Sequence, residues 1–439
     1  MEHIDTLISA RWVIPVEPEG LALDYHSVAI RDGRIVAVLP TDQARQHYSA
    51  ANVTDLPEHA VIPGLVNAHT HAAMNLMRGL ADDLPLMTWL QEHVWPAEQQ
   101  HVGADFVHDG VSSACAEMLS GGVTCFNDMY FFPEVTARVA SQAGMRASVG
   151  MIVFDFPSAY GSGPEDYLDK GLALRDSRRG DPLITTVFAP HAPYTVGDDA
   201  LNRVAVLAGE LDAPVHMHVH ETAFEVSDSL EKTGLRPLQR LQRFGLITPS
   251  LMAVHMTQLT DEEIALMAEA NASVIHCPES NLKLASGFCP VQRLLDADVN
   301  VALGTDGAAS NNDLDMFGEM RTAAMLAKGV AGNAAALPAA RALTMATLSG
   351  ARALGLDDNI GSLVPGKFAD VTAIRLSGID MEPVYHPVSQ LVYVANREQV
   401  SDVWVAGRHL LRDRELTTIN ATNVLERVRT WQQRLLPQS

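Results

Sequence analysis

Basic residues are scarce in this sequence: 31 lysines and arginines stand against 53 aspartates and glutamates, a formal charge of −22. Nucleic acids and anionic membrane surfaces attract basic patches, so this balance argues against both as partners. Long hydrophobic runs are missing too. No stretch of about 18 apolar residues is present to span a bilayer. The opening MEHIDTLISARWVIPVEPEG has no basic n-region and no sustained apolar segment, so no signal peptide is expected. The four cysteines (Cys115, Cys125, Cys277, Cys289) form no CxxC pair and read as reduced thiols of a cytoplasmic protein. The HExxH helix of metalloproteases and the H-x-E…P-C-x-x-C signature of zinc-dependent base deaminases are both absent, which removes two metal chemistries. What remains is ordinary for a globular enzyme. Hydrophobic content is 47%, charged content 19%, and 439 residues suffice for one large α/β domain with a smaller companion.

The texture changes twice along the chain. The first 60 residues read as β-structure, with SVAIRDGRIVAVLP giving two alternating runs joined by Asp32-Gly33, a two-residue hairpin signal. Short β-rich runs return late, in GKFADVTAIRL and VSDVWVAGRHLL. Between them, apolar runs alternate with helical patterns such as DDALNRVAVLAGELD, TDEEIALMAEAN and AARALTMATLSGARALGL. That alternation predicts βαβ units around a parallel sheet. The expected architecture is therefore α/β: a (β/α)8 barrel over residues 63–362. A small discontinuous β-sandwich is expected from residues 1–62 and 363–439, closed by the amphipathic NVLERVRTWQQRLL. The small residues of KGVAGNAAALPAARA predict a loop leading into a helix.

Ionisable residues recur where the apolar runs end. IPGLVNAHTH delivers His69 and His71, which share one side of a strand because they are two residues apart. TTVFAPHAPYT ends in His191, APVHMHVHET carries His216, His218 and His220 and then Glu221, SLMAVHM gives His255, ASVIHCPESN gives His276, and VNVALGTDGAASNN ends in Asp306. In a (β/α)8 barrel the C-terminal strand ends form the catalytic face, so residues scattered in sequence converge in space. Satisfied core histidines do not explain so many. Within HMHVH the three histidines point to one side if the strand stays regular, and they cannot all bind one ion; His216 lies deepest and reads as a packed residue. His276 reads equally as a residue lining the site or a ligand, and Cys277 and Cys289 as core or loop thiols.

Taken in order, PGLVNAHTH, HVHET, CPESNLKLASG, GTDGAASNN and MATLSGARALG make the chain resemble the amidohydrolase superfamily. More closely, it is similar to the 5-methylthioadenosine/S-adenosylhomocysteine deaminases, over almost its whole length. The resemblance implies one divalent metal ion per chain, held by His69, His71, His218 and Asp306. Three neutral imidazoles and a carboxylate suit Zn²⁺. It implies a hydrolytic deaminase of a purine nucleoside, and homo-oligomers are common in such barrels. Glu221 is then the proton shuttle, with His255 and Asp306 flanking the attacking oxygen and Glu221 and Asp306 also facing the substrate. Read without the resemblance, Glu221 has a carboxylate favoured by a helix N-terminus as its lesser alternative, and Trp89 reads as a core residue. In the resembling family Trp89, from ADDLPLMTWLQEHVWPAEQQ, packs on the nucleoside, Glu98 binds the ribose diol and His191 contacts the purine. One departure stands out. The segment VFDFPSAYGSGPEDYLDKG, where the family holds the amino-acid tail of S-adenosylhomocysteine, has no arginine. The expected substrate is therefore 5′-methylthioadenosine or adenosine before S-adenosylhomocysteine. The alternative is deamination or dechlorination of another heterocycle: guanine, cytosine or an s-triazine.

Overall fold

The structure, a computed structural model, describes residues 1–436. Two eight-stranded sheets organise them. The first draws β1 (Glu2–Val13), β2 (Leu23–Arg31), β3 (Arg34–Pro40) and β4 (Tyr48–Pro63) from one end of the chain. The second is parallel throughout and runs in sequence order: β5 (Leu65–Thr70), β6 (Val123–Asp128), β7 (Arg146–Val153), β8 (Ile184–Pro190), β9 (Val215–Val219), β10 (Leu251–His255), β11 (Ser273–His276) and β12 (Asn300–Leu303). The first sheet is completed by β13 (Val371–Arg375), β14 (Val400–Val405), β15 (Arg408–Arg412) and β16 (Glu415–Leu416), in the order β16-β15-β14-β13-β4-β1-β2-β3.

The parallel sheet is the barrel, with β12 brought back to β5. The Asn67 side chain donates to Thr305 Oγ1 at 2.7 Å and accepts from the Thr305 N–H at 3.0 Å, and the Asp306 N–H donates to the His69 carbonyl at 3.0 Å. Gly304 is required at this closure: a Cβ there would lie 2.8 Å from His69 Cβ. Parallel strands covered on both faces read as apolar runs, which is why they were visible in the sequence.

The sheet built from both ends is one hydrogen-bonded sheet that curls on itself, so that Ile8, Ile30 and Ile35 share a core with Val371, Ala373 and Trp404. The Asp32-Gly33 turn forms as expected, both residues having positive φ (50° and 73°). Arg146 of β7 and Asp370, just before β13, make a buried two-pronged ion pair at 3.0 and 3.2 Å that ties this sheet to the barrel.

Two readings of the sequence need amending. A helix, Thr41–His47, interrupts the β-rich start and buries Ala44 against Ile4, Leu7 and Ala29. The helical pattern of residues 339–356 is two helices, Ala339–Met345 and Leu348–Ala353, because the Ala346 carbonyl accepts the Val66 N–H of the barrel. The helix Ala421–Leu435 closes the chain, with Trp431 Nε1 donating to Asp109 at 2.9 Å. Among the described residues no helix is long and apolar enough to cross a membrane.

Candidate metal centre and active-site cleft

The strand-end residues meet at one end of a cleft. The Nε2 atoms of His69 and His71 both lie 3.2 Å from Asp306 Oδ1, and His218 Nε2 lies 3.2 Å from His69 Nε2. One donor atom from each of the four falls within 4.8 Å of the others, among the described residues. Their opposite ring nitrogens are occupied. His71 Nδ1–H donates to the Met129 carbonyl at 2.6 Å and His218 Nδ1–H to the His191 carbonyl at 2.8 Å, while His69 Nδ1 faces His216 Nε2 at 3.0 Å. Such bonds fix the tautomer that leaves Nε2 bare.

The donor set therefore aims three lone pairs and a carboxylate at one point, and its electrostatics ask for a cation there. Burial holds His69 down to about 4 and His218 well below the ordinary histidine range. Burial also opposes charge on His71, yet Asp306 lifts it to about 9, so a proton on His71 stands opposite the carboxylate. A divalent ion bound there would take over that counter-charge and release the proton. The set fits one Zn²⁺.

Asp306 is gripped firmly. Ser280 and Ser310 hydroxyls donate to its Oδ2 at 2.7 and 3.0 Å, and its backbone is left-handed, with φ of 62°. His220 (55°), His255 (74°) and Met256 (50°) share that strained region.

Glu221 follows β9, lines the cleft and is buried, its Oε2 3.9 Å from His255 Nε2. Burial first, and then the charge of Asp306, push its carboxyl up to about 8. His255 Nδ1–H donates to Asn281 Oδ1 at 2.8 Å, leaving Nε2 as an acceptor in the neutral ring. His191 lines the cleft, its Nδ1 held 2.9 Å from the Thr195 hydroxyl.

The opposite end is built by one helical stretch over residues 86–101, whose middle turn, Trp89–Val94, is wound as π-helix. Pro96 cannot donate to the preceding turn, and single π-turns concentrate at functional sites. Trp89 is buried on the cleft side, and half-buried Glu98 accepts the Tyr130 hydroxyl at 2.7 Å. Burial raises the Glu98 carboxyl to about 7 against that hydrogen bond. Ile152, Phe131, Phe154 and Phe156 form an apolar wall, and among the described residues no lysine or arginine lines the cleft.

All nine residues singled out for the site, His69, His71, Trp89, Glu98, His191, His218, Glu221, His255 and Asp306, thus border one cleft or its metal group. Three other histidines do not. His216 sits behind His69, as a packed residue. His220 does not point with its neighbours, because β9 ends at Val219 and the ring accepts the Leu238 N–H instead. His276 is buried away from the cleft with neither ring nitrogen partnered. Cys277 and Cys289 are buried free thiols. Sequence reasoning missed Tyr130, Ser280, Asn281 and Ser310. The last three lie inside the motifs CPESNLKLASG and GTDGAASNN, whereas Tyr130 follows its strand without a histidine or carboxylate to mark it.

The model of the amidohydrolase family matches residues 60–410. A 5-methylthioadenosine/S-adenosylhomocysteine deaminase from Saccharophagus degradans is 51% identical over 99% of this chain and 97% of its own length. The chain belongs to the amidohydrolase family. Its structure is similar to that of a zinc-bound adenosine deaminase from Xanthomonas campestris, with 55% identity, a TM-score of 0.98 and 99% of each chain covered. It also shares its fold with an atrazine chlorohydrolase from Arthrobacter aurescens, at 23% identity and a TM-score of 0.90, over 97% of this chain and 99% of the other.

Proposed function

We propose that the chain is a hydrolytic deaminase of purine nucleosides, with 5′-methylthioadenosine and adenosine as its preferred substrates. The chain is a hydrolase of carbon–nitrogen bonds, and the reaction replaces the 6-amino group by oxygen with release of ammonia. The observation that carries this reading is the division of a single cleft. A metal group and a carboxylate stand at one end; an aromatic face, a second carboxylate and an apolar wall without cations stand at the other. The zinc-bound neighbour and the deaminase relatives support it.

His69, His71, His218 and Asp306 would hold the ion. Bound there, Zn²⁺ supplies Lewis acidity and lowers the pKa of a water towards about 7. Glu221 takes one proton of the attacking water as the C6–O bond forms and passes it to a ring nitrogen. The proton left on the added oxygen then goes, again by way of Glu221, to the amino group, which departs as ammonia as the C6–N6 bond breaks and the C6=O bond forms. A carboxyl raised towards neutrality suits both directions of that transfer. His255 would steady the attacking oxygen through its Nε2, which lies 3.9 Å from Glu221 Oε2, and Asp306 would accept a hydrogen bond from that oxygen. Trp89 covers the flat ring, His191 offers Nε2 to a purine N–H, and Glu98 accepts both ribose hydroxyl protons. The apolar wall receives the methylthio group, and the lack of a cation disfavours the amino-acid tail of S-adenosylhomocysteine. The four buried free thiols support the cytoplasmic setting expected from the sequence.

The test is kcat/KM, read as ammonia release, for 5′-methylthioadenosine, adenosine, S-adenosylhomocysteine, 2′,3′-dideoxyadenosine and adenine. The first two should react best, S-adenosylhomocysteine less well, the dideoxy form far less and adenine hardly at all. Equal rates for ribose and dideoxy forms, or a preference for guanine, cytosine or an s-triazine, would overturn the reading.

A further inference from the structure

The turn that presents Glu221 is held from behind by a second carboxylate. Thr222 caps the helix Ala223–Thr233, its hydroxyl accepting the Glu225 N–H at 3.2 Å. In an ordinary capping box, the glutamate three residues on would return its carboxylate to the N–H of that same threonine. Here it reaches further. Glu225 Oε1 accepts the His220 N–H at 3.0 Å and Oε2 accepts the Glu221 N–H at 2.7 Å. Glu225 is buried, and so are both N–H groups it serves.

That turn is where the strand's alternation breaks. His216 and His218 face inward from β9, so in a regular strand Glu221 would project to the other side. The left-handed backbone of His220 reverses this and delivers Glu221 to the cleft. A non-glycine residue keeps such a conformation only when its surroundings enforce it. Thr257 supports the far side, donating to the Glu221 carbonyl at 2.7 Å. Among the described residues, the two consecutive N–H groups are served by Glu225 alone.

We propose that Glu225 is a positioning residue: by accepting both N–H groups of the His220–Glu221 turn, its carboxylate sets the direction from which Glu221 reaches the reacting atoms. The inference rests on the proton-shuttle role given to Glu221 above. Cap and clamp are made by different side chains, so they can be broken separately.

Glu225→Gln keeps the size but turns an NH₂ towards one of the two N–H groups. With 5′-methylthioadenosine and the zinc enzyme, kcat should fall about 10- to 100-fold, the scale of a misplacement near 1 Å. KM should stay within about threefold and zinc content should not change, because Trp89, Glu98, His191 and the four metal ligands are untouched. The pH profile of kcat should also shift, since the proton-carrying group has moved. Thr222→Ala is the contrasting variant. It removes the cap and lowers Tm while kcat holds. If Glu225→Gln lowers Tm as Thr222→Ala does and leaves kcat and the pH profile alone, Glu225 is only a cap and the proposal fails. Should Glu225→Gln not fold, Glu225→Asp replaces it, keeping the charge but stopping short of the turn, with the same readings. Failure of both to fold would make Glu225 a determinant of the fold and overturn the proposal. Full turnover in Glu221→Gln would instead refute the shuttle itself, a result that is read independently of Glu225.

Discussion

The two ends of the cleft are built by opposite means. At the metal end every group stands at or just past a buried strand end, and His69, His71, His218 and Asp306 each have a second hydrogen-bonded partner that fixes their orientation. At the nucleoside end, Trp89 and Glu98 ride on a single helical stretch with an irregular π-turn, and among the described residues the Glu98 carboxylate has one hydrogen-bond partner, the Tyr130 hydroxyl. Chemistry needs groups held to fractions of an ångström, and strand ends with supporting bonds supply that. Recognition of a flat ring and a diol tolerates a covering element of looser construction, which also leaves room for different nucleosides in one scaffold.

This contrast can be broken first at its rigid end. His218→Ala should abolish both zinc binding and turnover, since it removes one of four donors from a preorganised set; elemental analysis of the purified variant against one ion per wild-type chain is the check. Two tightly bound ions per wild-type chain, or full occupancy in the variant, would refute the donor assignment. Glu221→Gln should keep the metal and lose roughly 10²- to 10⁴-fold in kcat, the range for removing a general acid–base group.

Effects at the nucleoside end should be smaller and fall on KM. Glu98→Ala should raise KM for ribosides, shrink the preference over dideoxy forms and leave zinc content alone. It should also flatten the acid side of the pH profile. Burial raises the Glu98 carboxyl to about 7, so its hydrogen-bond-accepting form is lost as pH falls below that value, and kcat/KM for wild type should fall with it. The smallest effect is expected of Tyr130→Phe, about 3- to 10-fold in KM for loss of one hydrogen bond to a carboxylate. That variant should move the acid limb upward, because the hydroxyl holds the Glu98 carboxyl down. A zinc loss in either nucleoside-end variant would show that the two ends are not independent.

The same contrast explains what could be read from the sequence. Parallel strands announce themselves as apolar runs, and a polar residue at the end of each is conspicuous; hence His69, His71, His218, His255 and Asp306 were legible together. Glu98 and Trp89 have no such frame. A tryptophan in an amphipathic stretch looks like core, and the π-turn that aims it leaves no periodic signature, so both were found only through resemblance. His220 turns away from His216 and His218 because the regular strand ends at Val219 and a local positive φ, invisible in composition, follows. The helix Thr41–His47 escaped notice because one buried alanine is too little pattern to reveal it.

The join between the two sheets has a consequence for the metal group. β4 leads into β5 through Gly64 alone, where a Cβ would lie 2.1 Å from the Thr124 hydroxyl oxygen. Nothing at that joint can absorb slack. The phase of the His69–Thr70–His71 triplet is therefore indexed to a sheet whose strands come from the two far ends of the chain, like teeth on a shared shaft. One residue inserted there would turn both imidazoles half a period, away from Asp306. The peripheral sheet, none of whose described residues lines the cleft, thus works as the timing reference for the metal site.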